Sequence, residues 1–374
     1  MPDMTLTVIV WSSIALAVLS VLAMAGLILR RLRINRRDRI LSERRDALMS
    51  LMTLYLGGSA DDSEIRAFGG RVSLRVLDDV ARCVVEGRCS RRQLRADLDL
   101  LYEVVQDLVS TVRGQDRARI VSLLGQTKAR DVSLDDLDDR NPARRIRAAE
   151  MLALMPDAEV IDALHRKLDD PEPHVRIAAA SALVATDDRL TVDELVEKLE
   201  IGVTVRSQAL RHIFVHLAAR DGAAVLRLLE RRPSELVQAL AIHGLGATQD
   251  YAVTDAIARC MDSPSASVRA EAMRALAAIG HPRAAPAVLK GLTDDAWEVR
   301  TEAAICAGRI QLTEAAGLLR ERLADASWWA RFRAAEALMA IGEPGRLVLE
   351  EARHGRDRAA RISDMVLTEA KAAA

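Results

Sequence analysis

Seven times between Ile146 and Phe332 the chain repeats an apolar residue, a polar one and an Ala-rich run. The anchor pairs are Ile146-Arg147, Val175-Arg176, Val205-Arg206, Val237-Gln238, Val268-Arg269, Val299-Arg300 and Phe332-Arg333, spaced 29 to 33 residues apart. A period of that length specifies stacked helix pairs, because each unit can bury its apolar face only against its neighbours. Positions 0, +3, +4, +7 and +8 from each anchor share one helical face and are predicted to form the core. Asp, Ser and Pro in the preceding turns cap the helices and fix their first residues. Half of the residues are hydrophobic but only 3% are aromatic, a balance that suits stacked helices rather than a sheet.

The stretch from Met4 to Leu29 carries no charged residue. Roughly 20 such residues are enough to cross the hydrocarbon layer, which predicts a transmembrane helix over 4–29. Arg30, Arg31, Arg33, Arg36, Arg37 and Arg39 follow at once, and with Arg44 and Arg45 they give residues 30–45 a net charge of +6. The positive-inside rule then places the N-terminus outside and the rest of the chain in the cytoplasm, with these arginines at the membrane surface. They serve as a stop-transfer signal or as a patch for anionic lipid. The remainder, residues 46–374, sums to about −6, which disfavours nucleic acid as a partner.

Beyond the membrane segment, 30–56 reads as a basic juxtamembrane stretch running into an amphipathic helix that ends at Gly57-Gly58. Residues 57–138 read as helices at about 63–87, 91–112 and 116–126, with breaks at Gly87, Gly114 and the Asp-rich stretch 131–139. They form either degenerate capping repeats or a separate helical domain. Residues 139–353 hold about seven repeats, and 354–374 read as a final capping helix that frays into a disordered end. Cys83, Cys89, Cys260 and Cys306 show no CxxC spacing and no His at ligand spacing. They are expected to be single buried or half-buried thiols in a reducing compartment, without a zinc site or other cofactor.

The units starting at Asp262 and Asp294 read DSPSASVRAEAMRALAAIGHPRAAPAVLKGL and DDAWEVRTEAAICAGRIQLTEAAGLLRERL. In them the chain resembles the HEAT-like repeats of the type found in phycobilisome lyases, whose units show Asp, often Pro, then VRxxAAxAL, Gly and a second amphipathic helix. The resemblance covers about residues 139–351 and is carried most clearly by the units led by Asp170, Asp262, Asp294 and Asp325. The third unit lacks the Asp-Pro turn before Arg206, and the fourth has Gln238 in place of Arg. The resemblance implies an all-α, right-handed α-solenoid preceded by the single transmembrane helix. It also implies that Arg176, Arg269 and Arg300 stack beside turn Asp residues as a ladder, whose exposed members contribute little each.

By the same resemblance, the Ala-rich helix of each pair lines the concave side. Its +2 and +9 positions include Met155, Ile177, Val184, Phe214 and Ile341, which form an apolar groove for a partner segment or serve only as close-packing positions. Trp297, Trp328 and Trp329 fall beside turns in the last two repeats, as a binding patch or as a plug on the core. None of the seven histidines precedes Glu, so the His-Glu pairs of a HEAT-like diiron hydroxylase are missing, and no P-loop, GxSxG, zinc-protease or kinase motif occurs. The chain is therefore read as a non-enzymatic, bacterial-looking, membrane-tethered scaffold or adaptor. Its expected partner is a protein of an envelope, polysaccharide-export or signalling complex. A lipid or small-molecule binding module is the alternative, and a bilin lyase-like enzyme the remote one.

Overall fold

The computed structural model describes residues Met24, Arg31, 38–50, Met52, 74–111, 114–186, 190–201 and 208–373. The regular elements among them are all helical. The chain divides into two compact units, with the boundary between Asp136 and Leu137. The expected span 4–29 lies outside the described residues apart from Met24, and so do Arg30, Arg33, Arg36, Arg37 and the anchor pair Val205-Arg206. Among the described residues no helix is long and apolar enough to cross a membrane.

The first unit contains α1 (38–50), α2 (Leu74–Val84), α3 (Arg91–Thr111), α4 (Gln115–Leu124) and α5 (Ala129–Asp136). Ala47 and Leu48 of α1, Val80 and Val84 of α2, and Leu101, Val104 and Val105 of α3 are buried, the amphipathic periodicity that the sequence displays. Arg44 of α1 grips Asp97 of α3 with two hydrogen bonds of 2.6 Å and reaches Asp79 of α2 at 2.6 Å, while Arg45 meets Asp107 at 2.8 Å. Asp97 is fully buried. Two arginines of the basic cluster are therefore occupied in holding helices together. Arg39 pairs within its own helix with Glu43, and Arg31 is exposed.

Two expectations are corrected in this unit. Helix α5 occupies most of the Asp-rich stretch that was expected to be a break, and its Asp136 is paired with Arg95 of α3. Cys83 and Cys89 are not single thiols but a disulfide, with Cα atoms 5.2 Å apart. Helix α2 ends at Val84 and the chain doubles back through Gly87 in the left-handed region, φ 70°, which returns Cys89 to Cys83. A six-residue separation matches none of the short cysteine motifs, so only the turn reveals the pair.

The second unit is built from helix pairs. The Ala-rich first layer is α6 (Pro142–Leu152), α8 (Pro173–Ala185), the first half of α10 (Gln208–Glu230), α11 (Glu235–Ala247), α13 (Ala266–Ile279), α15 (Trp297–Arg309) and α17 (Trp328–Ala340). The other layer is α7 (Ala158–Lys167), α9 (Val192–Lys198), the second half of α10, α12 (Thr254–Arg259), α14 (Ala285–Leu292), α16 (Ala316–Arg322) and α18 (Glu343–Ala352). Helix α10 joins two helices across Asp221, whose backbone leaves the helical region and whose carboxylate caps Ala224. Each first-layer helix packs on the next, α6 on α8 through to α15 on α17, so the core is continuous rather than divided into separate cells.

Small residues set the spacing of that layer. A Cβ on Gly246 of α11 would lie 2.6 Å from the Cβ of Ala275 on α13, so glycine is what lets these two backbones approach. At the end of the array α19 (Arg358–Ala373) packs on α17 and α18 and buries Ala360, Ile362, Val366 and Leu367. The expected fraying tail is instead helical as far as Ala373, because its apolar residues recur at helical spacing and cover the last pair.

Candidate functional site

The turns of the second unit are stitched by a ladder of arginines. Arg269 donates to both carboxylate oxygens of Asp294 at 2.7 Å, while its remaining nitrogen donates to the Ser263 and Pro264 carbonyls at 3.0 and 3.1 Å. Arg300 repeats this on Asp325 at 2.7 and 2.8 Å and on the Asp294 and Asp295 carbonyls. Arg145 grips Asp170 at 2.9 and 2.8 Å, and Arg176 joins the Asp170 carbonyl to the Glu200 carboxylate at 3.0 and 2.9 Å. The same carboxylates close the turns that lead into the next helices: Asp170, Asp294 and Asp325 accept from the backbone N–H of Glu172, Ala296 and Ser327, the residues just before α8, α15 and α17.

The ladder that the resemblance implied is thus present at Arg176, Arg269 and Arg300, but two anchors shift. A ladder arginine stands six residues after the turn position that takes the preceding rung. By that spacing the first and last ladder arginines are Arg145 and Arg331, two residues before the expected Arg147 and Arg333. Arg331 donates to the Asp325 and Ala326 carbonyls. The segment RRIR offers three arginines and RFR two, and the constant six-residue interval is the signal that separates them.

The rungs are also more buried than expected. The Asp325 side chain is only 2% exposed and its partner Arg300 12%. Burial by itself raises the Asp325 carboxyl, but hydrogen bonds from Arg300 and the Ser327 N–H, with the charges of Arg300 and Arg322, bring it below the usual 3.8. Asp294 and Asp170 are lowered by the same balance of burial against arginine and backbone donors. A second, outer row links Lys167 to Asp138, Lys198 to Asp169 and Lys290 to Asp262. Its members are largely exposed and contribute little each.

Among the described residues the ladder has a gap. At the fourth anchor Gln238 stands where an arginine would, and its amide donates only to the Pro233 carbonyl, at 2.7 Å. The next rung position is Ser263 instead of Asp, and the position that should carry an acid for the preceding rung is Arg232. A cleft of about 220 Å³ opens at this gap, walled by Leu226, Leu229 and Pro264 and edged by Arg232, Gln238 and Ser263. Arg259, Cys260 and Asp262 also line it. Burial pushes the Cys260 thiol up to about 11, so it is a poor nucleophile.

The expected apolar groove is not formed. Phe214 is fully buried and Met155, Ile177, Val184 and Ile341 are at most 8% exposed. These positions face neighbouring helices, and their close-packing role is the one the structure displays. The ridge of the Ala-rich layer instead carries charge: Arg211 of α10, His243 of α11 and Arg274 of α13 converge on Glu271 of α13, with Arg274 bridging on to Glu302 of α15 at 2.7 Å. Glu271 is 4% exposed, and its three cationic or polar partners satisfy it. Sequence reasoning missed this network because, apart from the Arg274–Glu271 pair one turn apart on α13, its contacts join residues 28 to 60 positions apart.

Trp297, Trp328 and Trp329 are exposed by 42%, 45% and 51%. Trp328 stacks on Phe332, one helical turn along α17, at a centroid distance of 5.1 Å, and meets Trp329 edge-on at 4.8 Å. The Arg333 guanidinium lies 5.5 Å from the Phe332 ring centroid. The first turn of α17 therefore presents a preformed aromatic surface with an adjacent cation. Trp297 occupies the equivalent first position of α15.

No curated protein matches this chain. Among solved structures it is similar to CpcE and CpcF of phycocyanin lyase from Nostoc sp. PCC7120, at 19% identity over 64% of this chain and 94% of that chain, with a TM-score of 0.32. It is similar to Kap121p bound to RanGTP at 11% identity over 86% of this chain and 44% of that chain, TM-score 0.46. Human deoxyhypusine hydroxylase shares 20% identity over 79% of this chain and 95% of its own, TM-score 0.28. The profile described as HEAT repeats matches residues 130–212, 222–305 and 285–363, together more than half of the sequence. The chain belongs to the HEAT-repeat family.

Proposed function

We propose that this protein is a non-enzymatic, membrane-tethered adaptor that holds a protein partner at the cytoplasmic face of a membrane. The observation that carries the reading is the aromatic cluster on α17, in which the exposed Trp328 and Trp329 rest against the half-buried Phe332. Large rigid aromatics beside an arginine are the residue types that dominate protein–protein binding energy. Tethering rests on the uncharged stretch 4–29 followed by arginines, and confinement at a surface raises effective concentration without demanding a tight interface. An envelope, polysaccharide-export or signalling assembly suits such an adaptor.

Affinity purification of the full chain from detergent extract tests this, comparing wild type with Trp328→Ala plus Trp329→Ala. The expected result is a polypeptide recovered in near-stoichiometric amount with wild type and lost with the variant. Recovery of lipid or pigment alone would overturn the adaptor reading.

A further inference from the structure

We propose that the gap in the arginine ladder is a receptor for a carboxylate presented by an acidic side chain of a partner peptide. The proposal rests on the protein-binding reading above and assigns it a second contact point. Its basis is a reversal of charge at one backbone position. Glu200 and Arg232 are the corresponding turn residues of successive repeats, six before Arg206 and Gln238, and both adopt left-handed φ, 46° and 52°. Glu200 takes the incoming Arg176 at 2.9 Å. Arg232 presents a cation at the same place in the next turn, so the local field there attracts an anion.

The other charged groups around the cleft are already engaged. Asp262 accepts from Lys290 at 2.5 Å, which holds its carboxyl below the usual 3.8. Glu230 lies 3.9 Å from Arg259. Among the described residues Arg232 has no ion pair, and it contributes to the cleft only a long-range interaction with Asp262 and Cys260. One guanidinium without a counter-charge matches one monoanionic carboxylate. A phosphate dianion would leave one negative charge without a partner there. The Gln238 amide uses one of its two protons on Pro233, and Ser263 accepts from the Ser265 N–H, leaving an amide proton and a hydroxyl proton to donate. A guanidinium with two neutral donors is a complete set for a carboxylate.

The walls point to a side chain on a peptide as the source. Leu226, Leu229 and Pro264 line the same cleft and suit the methylene stem of Asp or Glu, and about 220 Å³ accommodates a side chain with part of its backbone. Arg232 and Pro264 are exposed, so a peptide reaches the gap from solvent. The bound carboxylate would occupy the space that a ladder Asp fills elsewhere, and it would complete the interrupted row from outside the chain.

Isothermal titration of the full chain in detergent tests this with three probes: Ac-Ala-Ala-Asp-Ala-Ala-NH2, the same peptide with Asn, and succinate. The Asp peptide is expected to bind saturably, with at least about tenfold weaker binding for the Asn peptide and for the Asp peptide on Arg232→Gln. A second variant, Gln238→Arg with Ser263→Asp, rebuilds the rung from within and is expected to abolish binding while raising the melting temperature. Equal binding of Asp and Asn peptides, unchanged binding by Arg232→Gln or an absence of heat would overturn the site. Binding of succinate without the peptide would overturn the peptide source and leave a free-carboxylate site. The adaptor reading is scored separately by partner capture: if capture depends on Trp328 and Trp329 but no Asp peptide binds, the adaptor stands and the carboxylate site falls. If the Asp peptide binds while no polypeptide co-purifies, the adaptor falls alone.

Discussion

Arg269 on α13 holds Asp294 of the following turn by two parallel hydrogen bonds of 2.7 Å, Nε to Oδ2 and Nη2 to Oδ1. The same carboxylate accepts from the Ala296 N–H in the turn just ahead of α15. One side chain thus couples a repeat boundary to a helix start, which explains why a rung in this array is worth more than an exposed ion pair.

Removing one arginine leaves a buried carboxylate without its partner. Arg300→Ala is expected to destabilise the second unit by about 3 kcal/mol, and Arg300→Lys by less, because lysine loses the bidentate geometry but keeps the charge. Urea unfolding followed by circular dichroism measures this. A loss below about 0.5 kcal/mol, the range of exposed pairs, would show the rung to be energetically idle.

The ladder also sets an acid limit. Asp170, Asp294 and Asp325 are all held below their usual 3.8. A carboxyl depressed in the folded state contributes stability that is full above its unfolded value and is lost as pH falls through the folded one. Stability is therefore expected to be level with respect to these groups above about pH 5 and to decline below about pH 4. Arg300→Ala should show a shallower decline, since Asp325 then loses its main stabilising donor. Urea midpoints from pH 7 to pH 3 decide the matter, with parallel curves for the two proteins counting against it.

Close approach of helices makes a prediction of opposite signs at two glycines. Gly246→Val must push α11 from α13, where even a Cβ would sit 2.9 Å from the Ala275 Cα, at a cost of about 2 kcal/mol. Gly317→Ala, in α16 with open space around it, should stabilise by about 0.5 kcal/mol through a stiffer unfolded chain. Thermal melts of both variants check the contrast.

Phe214 and the tryptophans separate core from surface. Phe214→Ala is expected to cost about 4 kcal/mol, as a fully buried aromatic does. Trp328→Ala with Trp329→Ala should leave the unfolding midpoint almost unchanged, since both rings are about half exposed. A large stability loss from the tryptophan pair would make it a plug on the core instead of a docking surface.

The proposed membrane orientation is tested at Cys83 and Cys89. Positive charge after residue 29 argues for a cytoplasmic repeat domain, where thiols are kept reduced, while the fold brings these two within bonding distance. Under the proposed orientation, alkylation of intact cells at the moment of acid quenching finds the Cys83–Cys89 bond of the structure reduced, and it closes only on extraction into air. A disulfide already present in cells would reverse the proposed orientation. Cys306, buried and pushed up to about 12, serves as the unreactive internal reference.

The sequence by itself determined the architecture of the second unit. A period near 31 residues, Ala at positions that must pack closely and Asp at turns leave stacked helix pairs as the arrangement that buries every apolar face. The ladder at Arg176, Arg269 and Arg300 was legible only through the resemblance to HEAT-like repeats, which implies arginines stacked beside turn Asp residues. Tertiary structure decided what depends on distance in space. Phe214 and Ile177 read as groove residues because a helix drawn alone has an outer face, yet the adjoining helices cover it. Arg145 displaced Arg147 as a rung because only the turn fixes which arginine reaches Asp170. Glu271 acquired its partners from three different helices, and Gln238 and Ser263 came to line one cleft because helical stacking places neighbouring repeats side by side. A linear pattern encodes which faces are apolar, while the contacts between faces are set by backbone geometry that no single repeat contains.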